Sequence, residues 1–375
     1  MMKTQTDVLI IGGGFAGVAA AQKLAQNQVD VTLIDRKNYF EVTFATLRNA
    51  ANPRMLGDTA RKRYTDFVEG DFVQANIESM NDQEATLSDG ATIRFKQAII
   101  ATGSRYPSLP LAKSNSAFDY AERSQEMADE HQALAAAHSV LLIGGGLVGV
   151  EFAGEIASAF PDKEVTLAHA GDALLDGSQP KAQRKAWEQL TAKGVCVKFN
   201  RRFAKETSAE GGDVYRCSIT GETVQPDIAY VCVGMVPNTE FLQAELPEIL
   251  NGRGLVKVDA HMRVVGHDNL YALGDCSTLD GRKHGYLAMV QGTQLADAIL
   301  KSAAGKAAKP YNNPPIMVVT TTGTDSGVAA LPFFGLTSTL GFIVNVKQKD
   351  VGISHMLQAM GTKPDQLQTQ IKVPV

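Results

Sequence analysis

Two copies of one glycine-rich pattern constrain the fold of this chain more than any other feature. The apolar run 8–11 leads into the glycines of residues 12–17, and the apolar run 140–143 leads into those of residues 144–149, 132 residues later. In such a pattern a strand enters a tight glycine turn, and the following helix directs its N-terminus at a pyrophosphate that the glycines allow to approach. Each copy therefore predicts a βαβ unit, and two units predict two dinucleotides.

The repeat extends beyond the glycines to the second strand of each unit. Residues 29–35 read VDVTLID and residues 163–169 read KEVTLAH. Asp35 stands where a carboxylate accepts hydrogen bonds from ribose hydroxyls, whereas His169 takes that place in the second unit. Without an acid a ribose 2′-phosphate is not repelled, and without an adjacent Arg or Lys it is not clamped, so the second nucleotide could be NADH or NADPH. The alternative is a Rossmann repeat in which one site is vestigial.

Composition restricts the class of protein. The net charge of −4 argues against a nucleic-acid partner, and the triplet at residues 61–63 is expected to be a solvated basic face. The four cysteines form no CxxC, which suits a reduced compartment, and Cys196 and Cys232 are expected in the core. With no signal peptide and a polar C-terminus, the expected location is cytoplasmic, with at most peripheral membrane contact. No metal site is expected.

The order of strands and helices predicts an α/β fold with two Rossmann-like domains, the second inserted in the first, and a small C-terminal α+β domain. Separate strands are expected at 91–95 and 96–103 and at 254–258, and helices near 121–138 and 285–303. The predicted boundaries are 1–110 for the first part of one nucleotide domain, 111–236 for the inserted domain, 237–308 for the second part of the first domain, and 309–375 for the C-terminal domain.

Four separate motifs carry a family resemblance. They are the two glycine patterns, the strand end Ala101-Thr102-Gly103, and Tyr271-Ala-Leu-Gly274-Asp275. In this order the chain resembles the flavoproteins of the pyridine nucleotide-disulfide oxidoreductase superfamily. The resemblance implies FAD in the first unit, with Asp275 binding its ribityl or pyrophosphate end, and NAD(P)H in the second. The implied cofactor contacts are Gly12, Gly14, Phe15, Ala16, Gly17, Asp35, Arg36, Arg48, Val73, Thr102, Gly103, Gly144, Gly146, Gly149, Glu151, His169, Gly234, Gly274, Asp275, Tyr286 and Leu287.

One difference from that superfamily argues against chemistry that uses a redox dithiol. Its disulfide reductases keep a redox dithiol shortly after the first βαβ unit, but residues 38–48 contain no cysteine. Within the superfamily the chain is similar to the apoptosis-inducing-factor-like branch, which includes the ferroptosis-suppressor NAD(P)H:quinone oxidoreductases. The similarity rests on residues 34–48, 160–169 and 347–350. It implies hydride transfer from NAD(P)H to flavin and electron transfer to a small quinone without a thiol intermediate, and it allows a homodimer.

Three residues are candidates for direct roles. Glu151 is placed on the first turn of the second helix and could hydrogen-bond the nicotinamide amide, or merely be a carboxylate favoured by a helix N-terminus. Arg48 is a candidate flavin or pyrophosphate contact, or a surface guanidinium. Lys347 could polarise a quinone carbonyl or supply a proton, or belong to an ordinary solvated turn. The helix beginning near Gly285 would direct its positive end at the flavin.

Other functions remain open at the level of sequence. A redox-sensing flavoprotein of the apoptosis-inducing-factor type would react slowly with NADH and change its partner affinity. A ferredoxin or rubredoxin reductase would need a docking surface that the sequence does not reveal. A respiratory NADH dehydrogenase would usually carry an amphipathic C-terminal extension, whereas residues 361–370 are polar and contain a proline.

Overall fold

The computed structural model describes residues 3–207, 213–279, 283–331, 337–338 and 351–361. Its strands in chain order are β1 (Gln5–Ile11), β2 (Val31–Asp35), β3 (Tyr39–Glu41), β4 (Arg61–Arg63), β5 (Asp71–Gln74), β6 (Ile77–Met80), β7 (Glu84–Leu87), β8 (Thr92–Ile100), β9 (Ser104–Arg105), β10 (Ser139–Ile143), β11 (Glu164–Ala168), β12 (Cys196–Lys198), β13 (Phe203–Thr207), β14 (Asp213–Cys217), β15 (Thr223–Val224), β16 (Ile228–Val231), β17 (Val236–Pro237), β18 (Leu270–Ala272), β19 (Val318–Thr321), β20 (Gly327–Ala330) and β21 (Thr337–Ser338). Its α-helices are α1 (Phe15–Ala25), α2 (Thr46–Ala51), α3 (Pro53–Leu56), α4 (Tyr120–Ala136), α5 (Leu147–Ala159), α6 (Pro180–Ala192), α7 (Gly285–Ala303) and α8 (Ile353–Ala359).

The first glycine turn follows strand β1 of the first sheet. This sheet has seven strands in the order β5-β2-β1-β8-β7-β6, with β18 also paired to β8. Strand β1 is parallel to β2 and to β8, and β18 is parallel to β8 with Leu270 opposite Ala98. Residues 270–272 therefore return to the sheet that residues 5–100 build.

The second glycine turn follows strand β10 of the second sheet. The four strands of this sheet run in the order β12-β11-β10-β16, and all are parallel. Residues 8–11 of β1 and residues 140–143 of β10 are apolar and buried, as expected for parallel strands that are covered on both faces. A parallel connection needs a crossover, and helices α1 and α5 supply it directly after each glycine turn.

Two glycines allow helices to approach other backbone closely. A Cβ atom at Gly292 of α7 would lie 2.1 Å from the carbonyl oxygen of Ala16, so α7 rests directly on α1. A Cβ atom at Gly154 of α5 would lie 2.2 Å from the carbonyl carbon of Thr322. The segment that follows β19 is therefore packed against the second crossover helix.

Short ladders complete the described structure. Strand β9 pairs with β17, β3 pairs with β4, β13-β14-β15 form an antiparallel sheet, and β19-β20-β21 form another. The pair β9 and β17 joins residues 104–105 to residues 236–237, where the chain leaves and re-enters the part that builds the first sheet. None of the described helices is long and apolar enough to cross a membrane.

The α/β prediction and the helix at residues 285–303 are confirmed, but several local predictions are wrong. Residues 92–100 form one strand because β8 pairs with β7 at its start and with β1 along its length. Residues 254–258 form only isolated bridges.

The predicted basic face at residues 61–63 is also wrong at its first residue. Arg61 is 2% exposed, because β4 pairs with β3 and directs its guanidinium to the carboxylates of Glu41 and Asp58. Cys232 is buried as expected, whereas Cys196 is exposed on the edge strand β12.

Candidate active site

One cavity of about 1100 Å³ receives both glycine turns. It exceeds the roughly 300–1,000 Å³ of most small-molecule pockets, which suits a ligand as large as a dinucleotide. The sequence-predicted contacts that line it are Gly12, Gly14, Phe15, Ala16, Asp35, Arg36, Thr102, Gly103, Gly146, Glu151, Gly274, Asp275 and Tyr286. The described contacts that do not line it are Gly17, Arg48, Val73, Gly144, Gly149, His169, Gly234 and Leu287.

The first glycine turn is shaped for an anion at the start of α1. Gly12 has a φ of +105°, and a Cβ atom there would lie 2.4 Å from the carbonyl oxygen of Ala101. A Cβ atom at Gly17 would lie 1.8 Å from the carbonyl oxygen of Gly12, so both positions require glycine. Gly14, by contrast, has no heavy atom within 4 Å of its Cβ position, and the first turn of α1 has no acidic residue. The open helix N-terminus therefore fits a pyrophosphate.

Asp35 holds the same turn from the end of β2. Its Oδ2 accepts a hydrogen bond from the Gly13 N–H at 2.6 Å, and its Oδ1 accepts one from the Lys37 N–H at 2.8 Å. The buried Tyr64 hydroxyl donates to the Gly13 carbonyl at 2.8 Å. Burial raises the pKa of Tyr64 well above its usual value, so Tyr64 remains a neutral donor. Tyr64 was not found from the sequence, because no motif marks it.

The second turn repeats this geometry with a different side chain. Gly144 has a φ of +117°, and a Cβ atom at Gly149 would lie 1.9 Å from the Gly144 carbonyl oxygen. The Nδ1 atom of His169 accepts the hydrogen bond from the Gly145 N–H at 3.1 Å, as Asp35 does for Gly13. Since Nδ1 is the acceptor, the proton of the neutral ring is on Nε2, which lies 3.3 Å from Oδ1 of Asp176. The imidazole therefore replaces the carboxylate on the glycine turn.

Asp275 lies in a polar cluster on the cavity wall. Its Oδ2 accepts hydrogen bonds from the Ser104 hydroxyl at 2.6 Å and from the Lys113 ammonium at 2.9 Å. Burial alone would raise the pKa of Asp275, but the positive charge of Lys113 and these hydrogen bonds outweigh it and hold the pKa below its usual value. Asp275 therefore presents an ionised carboxylate on the cavity wall. Lys113 was missed because its segment resembles a linker with prolines.

Glu151 lies deeper in α5 than the sequence suggested. The helix begins at Leu147 and has no acidic residue in its first turn, so a position favoured only by the helix N-terminus does not explain Glu151. The side chain lines the cavity while the residue is 9% exposed. One carboxylate oxygen accepts a hydrogen bond from the backbone N–H of Thr321 at 3.2 Å. Residues from β19 thus orient a carboxylate that faces the cavity.

Arg48 is neither on the surface nor on the cavity wall. It is 1% exposed in α2, and its Nε lies 3.0 Å from both carboxylate oxygens of Glu155, a residue of α5 that is 3% exposed. Its Nη2 lies 2.6 Å from Oε1 of the same residue. The alternative of a surface guanidinium is wrong, because this buried cation lies against a buried carboxylate. Its neighbour Leu47 lines the cavity instead.

The N-terminus of α7 also faces the cavity. His284, Gly285 and Tyr286 line it, and the His284 Nδ1 caps the helix by accepting the Tyr286 N–H at 3.3 Å. Leu287, only 1% exposed, is a buried hydrophobic residue that does not line the cavity.

Cysteine chemistry has little support in this cavity. Cys232 is the one cysteine of the four that lines it, and burial raises the pKa of its thiol to about 12. A thiol with that pKa is almost entirely protonated at neutral pH and is a poor nucleophile. Among the described residues no group of His, Cys, Asp and Glu is arranged to hold a metal ion.

The C-terminal part of the chain contributes a further wall. Pro315, Ile316, Met317, Val318 and Val319 line the cavity, together with residues of the segment 351–356. Lys347 and most of residues 331–346, a largely apolar run of the sequence, lie outside the described residues. The part that is described already supplies apolar side chains to the cavity wall.

Comparison with known proteins agrees with this geometry. The family model for pyridine nucleotide-disulphide oxidoreductases matches residues 6–298, which contain both glycine turns and Asp275. The chain belongs to the pyridine nucleotide-disulphide oxidoreductase family. As a class, these oxidoreductases bind FAD and NAD(P)H.

Similar proteins agree with the apoptosis-inducing-factor-like branch of the family. The chain is 30% identical to ferroptosis suppressor protein 1 of Xenopus tropicalis over 362 residues, covering 94% of this chain and 96% of that protein. It is 28% identical to ferroptosis suppressor protein 1 of Homo sapiens, covering 95% and 96% of the two chains. It is also 28% identical to apoptosis-inducing factor homolog A of Dictyostelium discoideum, covering 80% and 78%. The predicted branch is confirmed.

Proposed function

We propose that this protein is a FAD-dependent oxidoreductase that accepts hydride from NAD(P)H and passes electrons to a quinone without a redox dithiol. The observation that carries the proposal is the single cavity shared by both glycine turns, Glu151 and Asp275. Two dinucleotides whose pyrophosphates lie at these turns can bring their reactive rings together between α1 and α5.

In this proposal the first unit holds FAD. The N-terminus of α1 faces the pyrophosphate, Asp35 accepts from the adenosine ribose, and the ionised Asp275 accepts from the ribityl end. When bound, FAD supplies the redox chemistry itself, while the protein supplies position and charge. The N-terminus of α7, which faces the cavity, favours negative charge nearby.

The second unit would bind the nicotinamide nucleotide. The open position at Gly146 leaves room for its pyrophosphate, and Glu151 can accept a hydrogen bond from the nicotinamide amide. The hydrogen bond from Thr321 orients Glu151 before the nucleotide arrives. Consistent with the sheets, residues 1–110 and 237–308 would form the FAD-binding domain, 111–236 the NAD(P)H-binding domain and 309–375 the C-terminal domain.

In this proposal the quinone binds against the part of the cavity wall that the C-terminal residues form. Ile316, Met317 and Val319 offer an apolar slot of the kind that holds a quinone ring. Lys347 would supply a polar contact to a quinone carbonyl or a proton. The relatives named ferroptosis suppressor protein 1, together with the missing dithiol and the raised pKa of Cys232, support a quinone over a disulfide acceptor.

An acceptor panel tests this function. Purified protein loaded with FAD should oxidise NADH or NADPH faster with a soluble quinone than with dioxygen. Replacing all four cysteines by serine or alanine should leave quinone reduction largely intact in the protein that folds. Lys347→Ala should slow quinone reduction more than it slows flavin reduction by NADH.

The proposal fails if alkylation of the thiols abolishes turnover while flavin and fold persist. It also fails if no quinone exceeds dioxygen as acceptor. A long-lived reduced protein that reacts slowly with every acceptor would instead favour a redox-sensing flavoprotein.

A further inference from the structure

We propose that Asp176 makes the second nucleotide site selective for NADH over NADPH, an inference that rests on the proposed function. The strand end at residue 169 lacks the carboxylate that its counterpart Asp35 provides. The structure supplies a carboxylate from the following loop instead. Oδ1 of Asp176 lies 3.3 Å from Nε2 of His169, and the Asp176 side chain is 73% exposed.

The chain of contacts leads outward from the glycine turn. The Gly145 N–H donates to Nδ1 of His169, and Nε2–H of the same ring then points to Asp176. The loop is fixed on the turn by a hydrogen bond of 2.8 Å from the Leu175 N–H to the Gly145 carbonyl oxygen. His169 is 8% exposed and lies between the glycine turn and Asp176, so the carboxylate of Asp176 is on the solvent side of the imidazole ring.

A ribose at this turn would meet a negative charge. By analogy with Asp35 in the first unit, the adenosine ribose of the second nucleotide lies over the strand end at His169. An ionised carboxylate there accepts hydrogen bonds from the two ribose hydroxyls of NADH. The same carboxylate repels the additional phosphate of NADPH, so it discriminates by both attraction and repulsion.

The nearby cations do not cancel this effect, because they are engaged by another acid. Lys198 and Arg201 flank His169 through backbone hydrogen bonds of 2.9 and 2.8 Å. Their side chains contact opposite oxygens of Glu222, at 2.6 Å for Lys198 and 2.8 Å for Arg201. These contacts hold the pKa of Glu222 below its usual value, so its negative charge offsets one of the two positive charges and its hydrogen bonds engage both cations that could clamp a phosphate.

Equilibrium binding of the two nucleotides tests the proposal directly. We would titrate oxidised FAD-loaded protein with NAD⁺ and NADP⁺ by calorimetry, and follow flavin reduction by NADH and NADPH separately. The wild type should bind NAD⁺ more tightly than NADP⁺. Asp176→Asn should lower that preference by roughly 3- to 10-fold, as expected for one partly solvated charge, mainly by tightening NADP⁺.

Three further measurements separate this effect from a structural one. Asp162→Asn removes the same charge from an exposed residue at the opposite end of β11 and should leave the preference unchanged. Raising the ionic strength should shrink the wild-type preference, because salt screens exposed charges. Glu222→Gln should also shift the preference toward NADP⁺ by freeing Lys198 and Arg201.

The possible failures are distinct. If both nucleotides bind equally to the wild type, or if Asp176→Asn leaves their ratio unchanged, the inference is wrong while the proposed function stands. If neither nucleotide binds or reduces the flavin, the proposed function itself fails. A preference for NADP⁺ in the wild type would show that Lys198 and Arg201 reach the 2′-phosphate despite Glu222, and would also overturn the inference.

Discussion

Replacing Arg48 by methionine is expected to destabilise the protein strongly, whereas replacing Arg48 and Glu155 together is not. The pair joins α2 to α5 across the interior, with both side chains at most 3% exposed. Methionine keeps much of the arginine volume without its charge. In Arg48→Met the Glu155 carboxylate stays buried and loses this cation, and in Glu155→Met the guanidinium loses this anion.

The magnitude follows from the burial of both ions. Removing one partner of a buried pair costs about 3–5 kcal/mol, a large part of the roughly 5–15 kcal/mol that stabilises a typical protein. Replacing both partners removes the cost of desolvating two ions together with their attraction, and such replacements are often neutral or stabilising. The double variant is therefore expected to be at least about 2 kcal/mol more stable than either single variant.

Urea unfolding followed by circular dichroism measures the four free energies of this cycle. The control is Arg184→Met, because Arg184 is 66% exposed and its contact with Glu188 at 3.9 Å is a surface pair worth less than about 1 kcal/mol. The flavin-to-protein absorbance ratio is recorded for each variant. The reasoning is refuted if Arg48→Met leaves the free energy of unfolding unchanged. It is also refuted if the double variant loses as much unfolding free energy as the two single variants added together. A stable double variant that cannot retain FAD would instead show that the pair holds α2, and with it the cavity-lining Leu47, in position.

Two other predictions concern the first nucleotide unit. Asp275→Asn removes the ionised acceptor of the cavity and should lower FAD retention during gel filtration at least about tenfold, while the exposed Asp268→Asn should retain FAD like the wild type; equal retention in both would contradict the role of Asp275. Burial alone would raise the pKa of Glu41, but the positive charges of Arg123, Lys37 and Arg61 hold that pKa below its usual value. The contribution of the ionised Glu41 to stability is therefore present above about pH 4.3, the pKa of an unperturbed glutamate, and is lost as the pH falls through the lower pKa of the folded state. The difference in unfolding free energy between the wild type and Glu41→Gln should therefore be large at pH 7 and narrow below about pH 4, and a constant difference would argue against an ionised Glu41.

The glycine turns could be predicted from sequence because their chemistry is local. Gly12 and Gly144 need a positive φ, and Gly17 and Gly149 need the absence of a Cβ atom, so each pattern reports a backbone shape within six residues. The helix at residues 285–303 was equally accessible, since its apolar residues recur at helical spacing.

The contacts of charged side chains could not be predicted in this way. Arg48 lies 107 residues from Glu155, and Lys113 lies 162 residues from Asp275, so neither partner is visible in a local pattern. Arg61 appeared to be part of a solvated triplet because sequence gives charge but not the strand pairing that buries it. Asp176 is only seven residues from His169, yet its approach depends on how the loop folds back on Gly145.

The ladder between β9 and β17 has a consequence for how the chain builds its two parallel sheets. Val236 is opposite Arg105 and Pro237 is opposite Ser104, so the two ends of the intervening segment are held side by side. A folded unit whose ends are adjacent can be inserted into a host without stretching it. The chain therefore leaves the part that builds the first sheet at Arg105 and returns to it at Val236, at neighbouring positions, as a tight loop would, although 130 residues lie between them. The intervening residues can therefore build the second sheet while the strands of the first sheet keep their pairing.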